Sequence, residues 1–169
     1  MSDGELPDWD RIVEGHAARV FRVALRILGS VHDAEDVSQD AFTEAYRLHK
    51  EGSVQNWTAL LVRLATLRSL DRLRRRRHSV QLREADRISA VEPSEEAEAG
   101  ELAAHLRKAL GQLPDQQATV FVMHYFEQLP RDQISAALGI SVEAVSTALY
   151  KARRRLLDEL AVFNRRGSK

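Results

Sequence analysis

The sequence contains no cysteine, few glycines and prolines, few aromatic residues and no long apolar run. With 0 cysteines in 169 residues, disulfide bonds and thiolate metal sites are excluded. The 8 glycines and 4 prolines are too few for a turn-rich β-protein or a low-complexity chain. No segment approaches the roughly 18 apolar residues of a membrane helix, and the acidic, polar N-terminus shows no secretory signal. These absences predict a soluble, cytoplasmic protein without membrane insertion.

The net charge of zero conceals a segregation of charge along the chain. Residues 1–60 carry 6 basic and 11 acidic side chains, whereas residues 61–90 carry 9 basic and 3 acidic ones. Two basic clusters, Arg72–Arg77 and Lys151–Arg155, each end a helical pattern. One such cluster is compatible with a solvated helix end, where cations are favourable. Two clusters in separate parts of the chain favour a polyanionic partner.

Apolar periodicity predicts three helices in the first half. The first covers 10–28, with Gly29 at its end and Ser30 as the cap of the next helix. The second covers about 32–49 and carries an acidic row beside its apolar stripe. The third covers about 55–77 and has an apolar side and a basic, polar side. Residues 86–100 are rich in glutamate and poor in large apolar residues, which predicts a linker.

The second half has the pattern of a helix-turn-helix. A helix over 101–113 precedes Pro114, which opens another helix. Residues 131–157 then combine a short helix, Gly139 at the turn and Ser141 as the cap of a further helix. The outward face of that last helix is polar near its start and basic further on, as a recognition helix requires. An ordinary helical hairpin would also contain a helix, a glycine and a helix, but the cap and the polar-to-basic order favour DNA binding.

These elements predict an all-α fold made of two small helical domains joined by an acidic linker. We place the first domain at 6–85, the linker at 86–100 and the helix-turn-helix domain at 101–165.

At this point two segments together resemble the sigma-70 family of RNA polymerase sigma factors, in its extracytoplasmic-function (ECF) type. Residues 25–47 and 56–77 are similar to region 2 of the family, and residues 106–156 are similar to region 4. The order, the spacing and the chain length together make the resemblance specific. It implies a protein without catalytic activity or cofactor, which directs RNA polymerase core to promoter DNA and pairs with an anti-sigma factor rather than forming an obligate homo-oligomer.

The resemblance also implies which residues bind each partner. The second helix would bind the polymerase core, with candidates Asp33, Glu35, Asp36, Gln39, Asp40 and Phe42. The third helix and the loop before it would meet the melted minus-ten element, with candidates Asn56, Arg63, Thr66, Arg68, Ser69, Arg72, Arg74, Arg75 and Arg76. The recognition helix would contact the minus-thirty-five element as duplex, with candidates Ser141, Glu143, Ala144, Ser146, Thr147, Tyr150, Lys151 and Arg154.

The sequence departs from the family pattern at some DNA-facing positions. Residues 65–67 are Ala-Thr-Leu where the family usually has Ala-Arg-Asn. Residues 144–148 are Ala-Val-Ser-Thr-Ala where Thr-Val-Lys-Ser-Arg is usual, so two cations are missing. These changes affect base preference and affinity rather than the fold. Weak binding by one module is tolerable because polymerase links the two modules and raises their effective concentration.

Three alternative interpretations remain at the level of sequence. The His32-Asp33 dipeptide is found in metal phosphohydrolases, but the other histidines are scattered and supply no second ligand cluster. A dimeric helix-turn-helix regulator that acts without polymerase core is the second alternative, and its dimeric state would distinguish it. Trp57 could stack on a base, although a tryptophan that opens an amphipathic helix is more often a core residue.

Overall fold

The computed structural model describes residues 8–52, 54–81 and 95–167, which form seven α-helices and one π-helical turn and contain no strand. The all-α prediction is confirmed. The first half consists of α1 (Trp9–Leu28), α2 (Val31–Lys50) and α3 (Trp57–Gln81). The second half consists of α4 (Glu95–Gln112), α5 (Asp115–Phe121), a π-helical turn (Val122–Phe126), α6 (Arg131–Leu138) and α7 (Val142–Gly167).

Local capping signals set the ends of the first-half helices. Gly29 ends α1 in the left-handed conformation, with φ at 67°. The Ser30 hydroxyl accepts a hydrogen bond of 3.3 Å from the Asp33 amide and starts α2. The Asn56 carboxamide oxygen accepts one of 3.0 Å from the Ala59 amide and starts α3. Each cap satisfies an amide that has no partner inside its helix, so the predicted starts hold to within two residues.

The three first-half helices pack through small and branched side chains. Alanines on the inward face of α2 have no exposed surface, which lets α1 and α3 approach α2 closely. His16 joins α1 to α3, since its Nε2 lies 3.2 Å from the Thr58 hydroxyl and its Nδ1 lies 2.8 Å from the Ile12 carbonyl. Burial of each large side chain contributes about 1.5–3 kcal/mol. The largest of these fully buried side chains are Val20, Val23, Ile27, Val37, Leu61, Val62 and Leu70.

The helix-turn-helix forms as the sequence predicts. Gly139 adopts φ at 64° and ends α6, and the Ser141 hydroxyl caps α7 by accepting a 3.1 Å hydrogen bond from the Ala144 amide. Ile134 and Val145 are fully buried and join α6 and α7 to the core. The helix predicted over 101–113 begins earlier, at Glu95, inside the predicted linker. Residues 86–94 of that linker lie outside the described part of the chain.

The two halves pack against each other along α3, which contacts α4, α5 and α6. One continuous apolar cluster contains core residues from both halves. The approach is close where the Leu73 side chain lies against Gly111, because a Cβ placed on that glycine would lie 2.9 Å from Leu73 Cδ2. α3 is therefore enclosed on one side by its own domain and on another by the second half.

Candidate nucleic-acid interface

The acidic row of α2 and the basic side of α3 form ion pairs with each other. Arg72 donates through Nε to Asp33 Oδ1 at 2.9 Å and through Nη2 to Asp36 Oδ2 at 2.8 Å. Arg76 also pairs with Asp33. The Asp33 side chain is buried, so it is neutralised inside the protein and does not present a charge to a partner.

A second link between the two helices lies further along α2. Arg68 donates two hydrogen bonds to Glu44 Oε2, at 2.5 and 3.1 Å. The hydrogen bond to the Glu44 carboxylate, together with its charge, raises the pKa of the Arg68 guanidinium above its ordinary value. Because the guanidinium is protonated at all physiological pH in any case, this contact fixes the position of Arg68 rather than its charge.

Three of the predicted binding residues are buried in the structure. Thr66 and Ser69 have no exposed surface, and Asp33 is only 6% exposed. The Thr66 hydroxyl donates to the Val62 carbonyl at 2.7 Å, while the Ser69 hydroxyl has no hydrogen-bond partner among the described residues. The physical reason is that α3 packs on more than one side, so positions beside its leucine stripe are also enclosed. Their assignment to polymerase or DNA contact stays a prediction.

The outer face of α2 keeps three of the predicted polymerase-binding side chains free of ion pairs. Glu35, Gln39 and Asp40 are exposed, and no ion pair involves them in the described residues. Phe42 is half-buried and packs edge-to-face on Trp9, with ring centroids 6.2 Å apart. Of the predicted polymerase-binding residues, Glu35, Gln39 and Asp40 are therefore the ones that a partner can reach as unpaired polar side chains.

An aromatic cluster lies where the loop before α3 begins. Trp57 is half-buried, with its ring centroid 6.0 Å from Trp9 and 5.6 Å from His49, and Tyr46 lies 5.0 Å from Trp9. These contacts make Trp57 a packing residue, as the sequence favoured. Sequence analysis overlooked Trp9, Tyr46 and His49. Within α2 the sequence did contain a signal. Phe42, Tyr46 and His49 follow one another at intervals of four and three residues, which places them on one side of a helix.

The basic residues of α3 divide into exposed and bound ones. Arg63 and Arg75 are exposed and take part in no ion pair within the described residues. Arg74 is bound to the second half through three donors. Its Nε donates to the Gly111 carbonyl at 2.9 Å, its Nη2 to the Leu113 carbonyl at 2.9 Å and its Nη1 to Asp115 Oδ1 at 2.6 Å.

The outward face of α7 presents the predicted polar-to-basic row. Its predicted residues Glu143, Thr147, Tyr150, Lys151 and Arg154 are exposed, whereas Ala144 and Ser146 are half-buried. Tyr150 is 63% exposed, and its hydroxyl accepts a 3.4 Å hydrogen bond from Arg154.

The structure adds a cation to this face that sequence analysis overlooked. Arg131, the first residue of α6, donates to the Ser146 hydroxyl at 3.2 Å. The sequence signal for Arg131 was its position as a charged residue at the start of the first helix of the helix-turn-helix. The fold of the motif brings that position close to the start of the second helix. The face of α7 thus gains a guanidinium beside its polar end.

The His32-Asp33 dipeptide, on which the metal-enzyme interpretation depends, lies in the first turn of α2. His32 Nε2 lies 3.8 Å from Asp36 Oδ2, but the described residues contain no group of three or more side chains able to hold a metal ion. Within the described ranges, no helix has both the length and the apolarity required to cross a bilayer.

Comparison with known families matches both halves of the chain. Residues 12–79 match the family described as Sigma-70 region 2, and residues 104–156 match the family described as Sigma-70, region 4. The two matches occur in the order and at the positions of the two helical units.

Individual relatives and solved structures agree with these family matches. The ECF RNA polymerase sigma factor SigE of Mycolicibacterium smegmatis is 34% identical over 164 residues, which are 92% of this chain and 63% of the relative. The chain thus spans just under two thirds of the length of that relative. The ECF RNA polymerase sigma factor SigW of Bacillus subtilis is 28% identical over 175 residues, covering 95% of this chain and 92% of the relative.

Two solved structures share the fold at low sequence identity. The sigma factor RpoE from Bartonella quintana, in complex with the anti-sigma factor NepR, has a TM-score of 0.56 at 20% identity and covers 92% of this chain and 98% of its own. CnrH, in complex with the cytosolic domain of CnrY, has a TM-score of 0.61 at 22% identity and covers 94% of this chain and 91% of its own. These findings favour a transcription initiation factor over a dimeric regulator that acts without polymerase. The chain belongs to the sigma-70 family of RNA polymerase sigma factors, in its extracytoplasmic-function group.

Proposed function

We propose that this chain directs RNA polymerase core to specific promoters in the cytoplasm, with α2 binding the core and α3 and α7 contacting two promoter elements. The observation that carries the proposal is the presence of region 2 and region 4 on one chain, in family order. The chain catalyses no reaction in this scheme, since polymerase supplies the chemistry. The domain boundaries 6–85, 86–100 and 101–165 are part of the proposal.

The polymerase-binding face is proposed to be the exposed acidic side of α2. Glu35, Gln39 and Asp40 offer hydrogen-bond acceptors and negative charge that no cation of the described residues neutralises by an ion pair. A surface of this kind suits a partner surface rich in Lys and Arg, because complementary charge accelerates association and fixes orientation.

The promoter-binding faces are proposed to differ in kind. On α7, Thr147 and Tyr150 stand near the base edges of the major groove, while Lys151 and Arg154 bind phosphates. On α3, Arg63 and Arg75 are exposed cations without an ion pair among the described residues, and they can follow the backbone of a melted strand. The first face reads duplex DNA and the second holds single-stranded DNA.

An anti-sigma factor is the third proposed partner, and the family resemblance is its support. The solved RpoE structure is itself a complex with an anti-sigma factor. We expect a heterodimer with such a protein rather than a homodimer. Gel filtration of the chain, alone and with the proteins encoded by neighbouring genes, would distinguish the two.

The test of the proposed function is co-purification with RNA polymerase core, followed by transcription from genomic DNA fragments with and without the chain. Stable association and new, defined start sites would support it. Specific duplex binding by a free dimer, without association, would favour the regulator instead. If the chain neither associated with polymerase core nor bound duplex DNA specifically, both proposals would be contradicted.

Surface variants separate the two binding functions. The double variant Glu35→Ala/Asp40→Ala should weaken core association, while Glu14→Ala, an exposed acid on α1, should not. The double variant Lys151→Ala/Arg154→Ala should keep core association and reduce the slope of log affinity against log salt for duplex DNA by about 2. Arg165→Ala, near the end of α7, is the matched control. If both double variants lost core association and duplex binding to the same degree, the assignment of core binding to α2 and DNA binding to α7 would be contradicted.

A further inference from the structure

A cavity of about 380 Å³ is bordered by both halves of the chain. Its walls come from α1, α4, α5, the π-helical turn and α7. None of the residues predicted to contact polymerase or DNA lines it, so the proposed function does not account for this cavity. The apolar residues that line it are Ala103, Leu106, Leu110, Phe121, Phe126 and Leu156.

The polar part of the cavity lining is cationic. Arg26 of α1 and Arg107 of α4 both line the cavity, and neither forms an ion pair within the described residues. No acidic side chain from the described part of the chain lines it. An apolar cavity bordered by two unneutralised guanidiniums is complementary in charge to an anionic group that carries an apolar body.

Backbone carbonyls hold both guanidiniums in place. Arg26 Nη1 donates to the Phe126 carbonyl at 3.1 Å, and its guanidinium lies 5.6 Å from the centroid of the Phe126 ring. Arg107 Nε donates to the Arg26 carbonyl at 3.2 Å. Because a guanidinium has five N–H donors, each arginine keeps donors for an anion after making these contacts. Cations that are already oriented lose less conformational freedom when a ligand binds.

We propose that this cavity binds a small single-chain carboxylate of the fatty-acid class, with its apolar chain against the leucines and phenylalanines and its carboxylate on Arg26 and Arg107. Ligand cavities span about 300–1,000 Å³ and are mostly apolar, with a few polar groups that orient the ligand, and this cavity has that size and composition. A planar carboxylate also matches the fork of guanidinium donors. The proposal is independent of the proposed function, because it uses no residue assigned to polymerase or DNA.

Isothermal titration calorimetry of the full chain with decanoate tests the site. Decanoate should bind as one molecule per chain. Decanol has the same chain without the charge, and it should bind at least about tenfold more weakly because it cannot accept the charge-assisted hydrogen bonds. Hexanoate keeps the carboxylate on a shorter chain, and it should also bind at least about tenfold more weakly. The absence of decanoate binding, or equal binding of decanoate and decanol, would overturn the proposal.

Two kinds of variant locate the binding, with circular dichroism as the check that each one folds. Ala103→Phe keeps both arginines and fills the cavity, so it should abolish decanoate binding, whereas Ala104→Phe at the exposed neighbouring position should not.

The double variant Arg26→Gln/Arg107→Gln should weaken decanoate binding at least about tenfold. Arg22→Gln, an exposed arginine one turn earlier on α1, is the matched control and should leave the affinity unchanged. Unchanged affinity in a folded Ala103→Phe or double arginine variant would overturn the proposal. If neither variant folded, the comparison of decanoate with decanol on the wild-type chain would decide it.

Discussion

At the scale of single residues, the ion pairs between α2 and α3 change what each charged side chain can do. Asp33 and Asp36 neutralise Arg72 inside the first domain, so these residues serve the fold before they serve a partner. Arg63 and Arg75 are exposed, and no ion pair among the described residues neutralises them. Charge that looks segregated along the sequence is thus partly cancelled across the interface between the helices.

Replacement of Arg72 tests the structural role of this network. We expect Arg72→Ala to lower the free energy of unfolding by about 2 kcal/mol, because a buried carboxylate loses one of its cations. Arg75→Ala, a neighbouring exposed arginine, should change it by no more than about 0.5 kcal/mol. Urea unfolding followed by circular dichroism measures both. Equal effects would show that Arg72 is no more structural than a surface arginine.

Replacement of Ser69 tests whether this buried residue contacts promoter DNA, as the family resemblance implies. The Ser69 hydroxyl is buried, and it has no hydrogen-bond partner in the part of the chain that the structure describes. Ser69→Ala should therefore leave stability unchanged or raise it by about 1 kcal/mol. Promoter opening should be unchanged as well, whereas Arg63→Ala should reduce it. A Ser69→Ala variant that folds normally yet fails to open promoters would show that Ser69 contacts DNA.

At the scale of elements, caps and turns fix where the helix-turn-helix bends. Gly139 takes a left-handed conformation between α6 and α7, and the Ser141 hydroxyl starts α7 immediately afterwards. Together they fix the direction in which the recognition helix leaves the turn. The outward row from Glu143 to Arg154 depends on this geometry, because a shift in the start of α7 would rotate every side chain on it.

Two glycine substitutions test that turn against a matched helical site. Apart from the adjoining backbone, no atom of the described residues lies within 4 Å of a Cβ placed on either Gly139 or Gly15, so crowding affects neither. Gly139→Ala should destabilise the protein by about 1 kcal/mol, because an L side chain is strained at positive φ. Gly15→Ala lies inside α1 and should stabilise it by about 1 kcal/mol. Thermal unfolding of both variants gives the comparison, and the same sign for both would contradict it.

At the scale of the whole molecule, polar contacts join the two halves as well as the shared apolar cluster. They are made by Arg19, Arg26, Arg74 and Arg107. Interfaces between domains of one chain generally behave as transient ones. A partner that binds both halves separately would therefore compete with these contacts rather than act on a rigid body.

A charge exchange tests the contacts between the two halves without touching a predicted binding residue. Arg19 Nε lies 3.1 Å from Glu127 Oε2. Arg19→Glu and Glu127→Arg should each weaken these contacts, since each places like charges together. Each single variant should show a larger radius of gyration by small-angle scattering. The double variant Arg19→Glu/Glu127→Arg should restore the compact value. Equal radii for all four proteins would show that this pair does not hold the halves together.

Much of the fold follows from the sequence by itself. The apolar periodicity determined the helices, Gly29 and Gly139 determined two of their ends, and Ser30, Asn56 and Ser141 had the side chains to start the next ones. These are local effects, in which each residue acts on amides within a few positions of itself. The family resemblance was equally local, since it depends on motifs inside each half.

Only the tertiary structure decided which of the polar residues are free to bind a partner. The sequence could not show that Asp33, Thr66 and Ser69 are buried, or that Arg74 is bound to the α4–α5 junction. The acceptors of Arg74 lie 37 to 41 positions away in the chain. Such contacts depend on how whole helices pack, and helical periodicity carries no information about which helix will cover a given face.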